Sequence, residues 1–142
     1  MDSKFENSYT RALGGDRYND AFISRFYEVF MASSEAIARS FQHTDMSVQK
    51  TMLHDSLQVV LDYHRTGKVS QQLQRLAQVH SRAGQDIVAA LYDNWLDSLV
   101  MTVSEFDPEY DQTVERAWRE AFAPGIQYMI TCYDMAEAGT QA

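Results

Sequence analysis

A histidine on an apolar helical stripe is the residue of this chain whose placement most invites chemistry. His80 closes the run Leu73-Gln74-Arg75-Leu76-Ala77-Gln78-Val79-His80, and Gly84 follows closely. Leu73, Leu76 and His80 recur at i, i+3 and i+7, so the imidazole shares one helical face with two leucines. Burying a basic ring disfavours its charged form, so the position needs a partner for the ring. Two partners would serve. One is a backbone carbonyl bonded to a neutral core histidine; the other is a metal, haem iron included, for which neutral imidazole is the usual protein ligand.

The elements that must position this histidine read as helices throughout. A first helix is expected from about Phe5 to Leu13, ended by Gly14-Gly15, with Asp16 as N-cap of a second that carries Phe22, Ile23, Phe26, Tyr27 and Phe30. A brief helix from Glu35 leads to Phe41, and Asp45 opens a long one with Met46, Gln49, Leu53, Leu57, Val60 and Leu61 on one side. Thr66-Gly67-Lys68 ends it, and Ser70 caps the His80 helix, which Gly84 should stop by taking a left-handed C′ conformation. Asp86 is expected to start the next helix, carrying Ile87, Leu91, Trp95, Leu99 and Val103. Asp107-Pro108-Glu109 carries the marks of a helix start, and the final helix holds Tyr110, Val114, Trp118, Phe122, Ile126, Met129 and Tyr133. Pro124-Gly125 should kink or break it. With no alternating strand pattern, the expectation is an all-α chain of about six to eight helices.

Composition bounds the function classes. A length of 142 residues fits one domain, 1–142, and 45% hydrophobic with 12% aromatic residues suffices for a core and a pocket. Twelve basic against twenty acidic residues give a formal net charge of −8, which repels phosphate backbones and anionic headgroups, so neither nucleic acid nor membrane is an expected partner. The one cysteine, Cys132, cannot form an internal disulfide, and the N-terminal MDSKFENSYTRALGGD lacks the apolar core of a signal peptide. No window approaches eighteen apolar residues, so a cytoplasmic location is expected.

Several residues in order carry a wider likeness. Phe26-Tyr27 lies in the second helix, Phe41 follows fourteen positions after the tyrosine, and Thr44-Asp45-Met46 leads to Gln49, Met52-Leu53 and Ser56-Leu57. Leu76-Ala77-Gln78-Val79-His80 and then Ala117-Trp118 complete the series. Over roughly Phe22 to Tyr133 the chain resembles the globin family, specifically bacterial single-domain globins and the globin domains of flavohaemoglobins and globin-coupled sensors. The resemblance implies a globin fold, a three-over-three helical sandwich around a haem pocket, and haem b as cofactor.

It also implies roles. His80 would be the proximal iron ligand through Nε2, its Nδ1–H donating to a backbone carbonyl, most plausibly that of Leu76. Leu73, Leu76 and Val79 would press on the proximal side, and Phe41 would stack against the haem. Tyr27 and Gln49 would form the distal polar pair, with Leu53 as apolar wall; both donors would hold a diatomic ligand, predicting slow release of dioxygen. The loop after Phe41 varies in length within the family, so Lys50 or Thr51 is an alternative to Gln49. For each residue an ordinary role also stands: core packing for Tyr27 and Phe41, a solvated helix position for Gln49. His54 is expected to pack, with a sixth iron ligand as alternative; His43 and His64 are expected at solvent.

The chain departs from flavohaemoglobins on the proximal side. Counting from Ala117-Trp118, the place of their last-helix glutamate falls near Tyr133, and Val88 or Ala89 stands near the place of their tyrosine, so the peroxidase-like push on the histidine is in doubt. With the sequence running to Ala142, no reductase domain is expected. The first expectation is therefore a haem globin that binds dioxygen, and also nitric oxide or carbon monoxide, for storage, scavenging or sensing, as monomer or homodimer. Alternatives are a nitric oxide dioxygenase fed by a separate reductase, and a non-haem globin-fold module acting on a separate signalling partner. A bilin carrier is discounted, because Cys132 lies in the last helix away from the inferred pocket.

Overall fold

The computed structural model describes residues 3–82 and 84–140, with side chains described as far as Asp134. The expected domain bounds at residues 1 and 142 lie outside them. Seven helices follow in order: α1 Ser3–Leu13, α2 Asp20–Ala32, α3 Glu35–Ser40, α4 Met46–Thr66, α5 Gln71–Val79, α6 Ala89–Phe106 and α7 Gln112–Thr140. Among the described residues there is no strand, and the expected two-layer helical sandwich is what forms.

Amphipathic spacing explains which faces meet. On α2, Phe22, Ile23, Phe26, Tyr27 and Phe30 all fall on one side and are buried. Each such side chain contributes roughly 1.5–3 kcal/mol of burial free energy. That face packs on α6, and on α3 and α4. Helix α7 is the other organiser, receiving α1, α4, α5 and α6. In its N-terminal half Trp118 stacks on Phe122, with ring centroids 6.0 Å apart and planes within 6°.

One buried polar network ties the first helix to the α6–α7 corner. Trp118 Nε1 donates to Ser8 Oγ at 2.8 Å, and Ser8 Oγ donates to Asp107 Oδ2 at 2.5 Å. Arg11 closes it with Nε on Oδ1 at 2.6 Å and Nη2 on Oδ2 at 3.0 Å. Burial alone would raise the Asp107 carboxyl; the bonds from Arg11, Ser8 and the Glu109 N–H outweigh it and hold the group below the usual carboxylate value.

Four local expectations need correcting. Asn19, not Asp16, caps α2, accepting from Phe22 N, because Asp16 instead accepts the Tyr9 hydroxyl at 2.9 Å. Asp107 does not start α7; it ends α6 and is consumed by the buried network, leaving Asp111 to accept from Val114 N at 2.9 Å. Asp86 does not start α6, which begins at Ala89. Pro124 does not break α7, and Gly125 serves close packing: a Cβ there would lie 2.7 Å from Val60 Cγ1 of α4. The caps read at Asp45 and Ser70 and the stop at Gly67 stand as expected.

Candidate cofactor site around His80

Helix α5 delivers His80 at its C-terminal end. Ser70 Oγ accepts the Leu73 N–H at 3.0 Å and fixes the start, while Leu73 and Ala77 are buried and Leu76 packs against the core. His80 takes the C-cap position, its N–H on the Leu76 carbonyl at 3.1 Å. The same carbonyl accepts from Nδ1 of the ring at 2.8 Å. This fixes the tautomer with the proton on Nδ1 and leaves the Nε2 lone pair without a protein partner among the described residues. Burial lowers the imidazole pKa, and the carbonyl bond opposes that shift without reversing it. A neutral ring with an open Nε2 is the form that binds iron. Val79, expected beside the leucines, is 44% exposed on the outer side of the same turn.

The segment after His80 folds back onto the helix end. Gln85 N donates to Val79 O at 2.7 Å, Asp86 N to Ser81 O at 2.8 Å and Ile87 N to His80 O at 3.0 Å. Gly84 permits this without a left-handed conformation, contrary to expectation. Its role is space: a Cβ would lie 2.4 Å from Val79 O and 2.7 Å from Gln78 O.

Helices α2 and α4 supply a second group of residues. Gln49 Nε2 donates to the Tyr27 hydroxyl at 3.1 Å, so of the three alternatives it is Gln49 that meets the tyrosine. Thr51 is exposed and spends its hydroxyl on Ser47 O. Phe41 sets its ring edge to Tyr27 at 5.6 Å and to Phe30 at 6.1 Å, and Leu53 is buried one turn beyond Gln49. Tyr27 is 3% exposed, and burial pushes its pKa up to about 12 against the opposing Gln49 bond. It remains a neutral hydroxyl, with its oxygen occupied by the amide and its proton available. Helix α4 packs on both α2 and α5, linking the two groups.

Tyr92 is a residue the sequence reading passed over. Its ring lies 6.4 Å from the His80 ring, its hydroxyl donates to Met129 Sδ at 3.9 Å, and burial raises its pKa to about 12. A signal existed: Tyr92 lies seven residues before Leu99 on the stripe that Val103 continues, and so on the buried face of α6. Tyr133, near which the place of the flavohaemoglobin glutamate is expected, donates its hydroxyl to Asp86. His54 turns its ring edge to Tyr18 at 5.7 Å, and among the described residues its buried Nδ1 has no hydrogen-bond partner. His43 is exposed as expected, but His64 packs edge-on against Phe5 at 5.7 Å.

The donor set suits haem. A bare ion needs three or four protein ligands, and no group of three or more His, Cys, Asp or Glu able to hold one occurs among the described residues. An iron held by a macrocycle needs a single axial imidazole, which His80 offers, and aromatic and aliphatic walls such as Phe41, Leu53 and Leu76.

No protein-family model matches the sequence, and no curated protein matches it. A solved structure does. Protein PA3967 from Pseudomonas aeruginosa PAO1, described as structurally highly homologous to a human hemoglobin, is 36% identical, with a TM-score of 0.82 over 92% of this chain and 96% of that one. At that identity and coverage the likeness extends beyond fold, and the chain belongs to the bacterial globins.

Proposed function

We propose that this globin binds haem b through His80 Nε2 and uses Tyr27, held by Gln49, to retain a diatomic gas, dioxygen first and nitric oxide or carbon monoxide as well. The observation that carries the reading is the Nδ1 bond of His80 to Leu76 O, which presents a neutral imidazole with Nε2 open. Haem, when bound, supplies an iron coordination position for the gas. The chain's own residues do the rest. Leu76 O orients the imidazole, Phe41 and Leu53 exclude water, and Tyr27 donates its proton toward the ligand while accepting from Gln49. The fold's kinship with a hemoglobin-like protein supports the same reading.

Binding is favoured over redox turnover by the partner at Nδ1. That partner is a neutral carbonyl, whereas a carboxylate would raise the basicity of the imidazole and its electron push. Among the described residues no helix is long and apolar enough to cross a membrane. The test is absorption spectroscopy of the purified chain after haem supplementation. A Soret band that shifts on reduction and on carbon monoxide addition is expected; no Soret band would overturn the proposal.

A further inference from the structure

The polar set beyond His80 does no work in gas binding as described, yet it is built with care. Tyr133 of α7 donates its hydroxyl to Asp86 Oδ1. Arg82 lies over the Tyr133 ring with Cζ 5.0 Å from the centroid, donates from Nε to Asp134 Oδ1 at 2.8 Å, and gives its backbone N–H to Tyr133 O at 3.2 Å. Asp86 adopts φ +57°, the one positive value outside glycine among the described residues. Few non-glycine residues take that conformation, aspartate being among the more tolerant, and its surroundings help to hold it. Here they are its own N–H on Ser81 O and the Tyr133 hydroxyl on its carboxylate. The neighbouring Ile87 N–H then reaches His80 O at 3.0 Å. Asp86 therefore couples the end of α7 to the backbone of the iron-ligand candidate.

We propose that Tyr133, Asp86 and Arg82 form a clamp that positions the His80 imidazole relative to the haem iron. This rests on the haem reading above. The clamp acts through the backbone: Tyr133 holds Asp86, Asp86 presents Ile87 N–H, and that bond steadies the His80 backbone from which the ring, itself bonded to Leu76 O, projects. These are positioning residues, none touching the iron. The arrangement grips the histidine through its backbone carbonyl, not through the imidazole.

The experiment compares wild-type, Tyr133→Phe, Asp86→Asn and Asp86→Gly chains, each loaded with haem. Tyr133→Phe keeps the ring beneath Arg82 and removes only the hydroxyl. Asp86→Gly removes the acceptor while relieving the positive φ, so it gives a second folded route to the same loss. In both, the iron–histidine stretching band of the ferrous protein should shift and broaden, and haem transfer to an excess of apomyoglobin should quicken by about 10-fold. Asp86→Asn, whose amide oxygen still accepts the bond, should stay near wild type. In the haem-free protein, amide exchange at Asp86 and Ile87 should accelerate in Tyr133→Phe. Tyr133→Phe and Asp86→Gly chains with wild-type band, transfer rate and exchange would overturn the clamp alone. A wild-type chain that takes up no haem would overturn the haem reading and the clamp with it.

Discussion

The amide of Gln49 donates to the hydroxyl of Tyr27 across 3.1 Å. On the proposed reading Gln49 holds the tyrosine in place, Tyr27 turns its phenolic proton to the gas, and the second amide hydrogen of Gln49 is not spent on Tyr27.

Tyr27→Phe should accordingly speed dioxygen dissociation by on the order of 10- to 100-fold, the loss of one hydrogen bond to the ligand. Gln49→Leu should speed it less, because the hydroxyl remains and only its orientation is loosened. Laser photolysis and stopped-flow replacement by carbon monoxide measure both. Equal effects would mean that Gln49 contacts the ligand itself.

Alkaline titration should expose the buried tyrosines. Tyr9, Tyr27 and Tyr92 are each raised from 10.0 to about 12, burial being the first cause in all three. A folded pKa above the unfolded one favours the folded state at lower pH, so this stability is fully present below pH 10.0 and is lost as pH rises through about 12. Phenolate absorbance should show a class of tyrosines ionising late, together with loss of helical circular dichroism. Ionisation of all eight tyrosines near pH 10 in a folded protein would contradict this.

Asp107 gives the opposite sign. Its folded pKa is depressed, so its contribution is present above the ordinary carboxylate value of 3.8 and is lost as pH falls through the folded value. Asp107→Ala should cost roughly 3 kcal/mol at neutral pH, since Ser8 and Arg11 lose a buried acceptor. Below the folded pKa the variant and wild type should converge. Urea melts at several pH values check both points.

Gly84→Ala should destabilise by on the order of 2 kcal/mol, because the new methyl meets backbone oxygens that have nowhere to move. Gly125→Ala should cost less, since its Cβ meets a side chain, Val60 Cγ1. Thermal melts of the two variants give the comparison directly.

The fold was legible because helical periodicity survives in every long element, and the placing of His80 beside Leu73 and Leu76 because the three share one stripe. The Leu76 carbonyl as partner of His80 could be anticipated for the same reason: it lies one turn earlier on the same helix. What stayed hidden depends on contacts between distant segments. Asp107 carries every local mark of a helix start, yet Ser8 and Arg11, ninety-nine and ninety-six positions away, claim its carboxylate. Asp86 was hidden in the same way, its positive φ being stabilised by Tyr133 from another helix. Gly84 suggested left-handed freedom because glycine offers both freedom and smallness, and sequence does not say which is used.

His80→Gly with imidazole added in solution tests most directly whether His80 Nε2 is the protein's bond to haem iron. This variant should lose the wild-type ferrous spectrum and its haem affinity, and free imidazole should restore the spectrum by filling the space the side chain left. A His80→Gly protein that binds haem with wild-type spectrum and affinity, without imidazole, would contradict it.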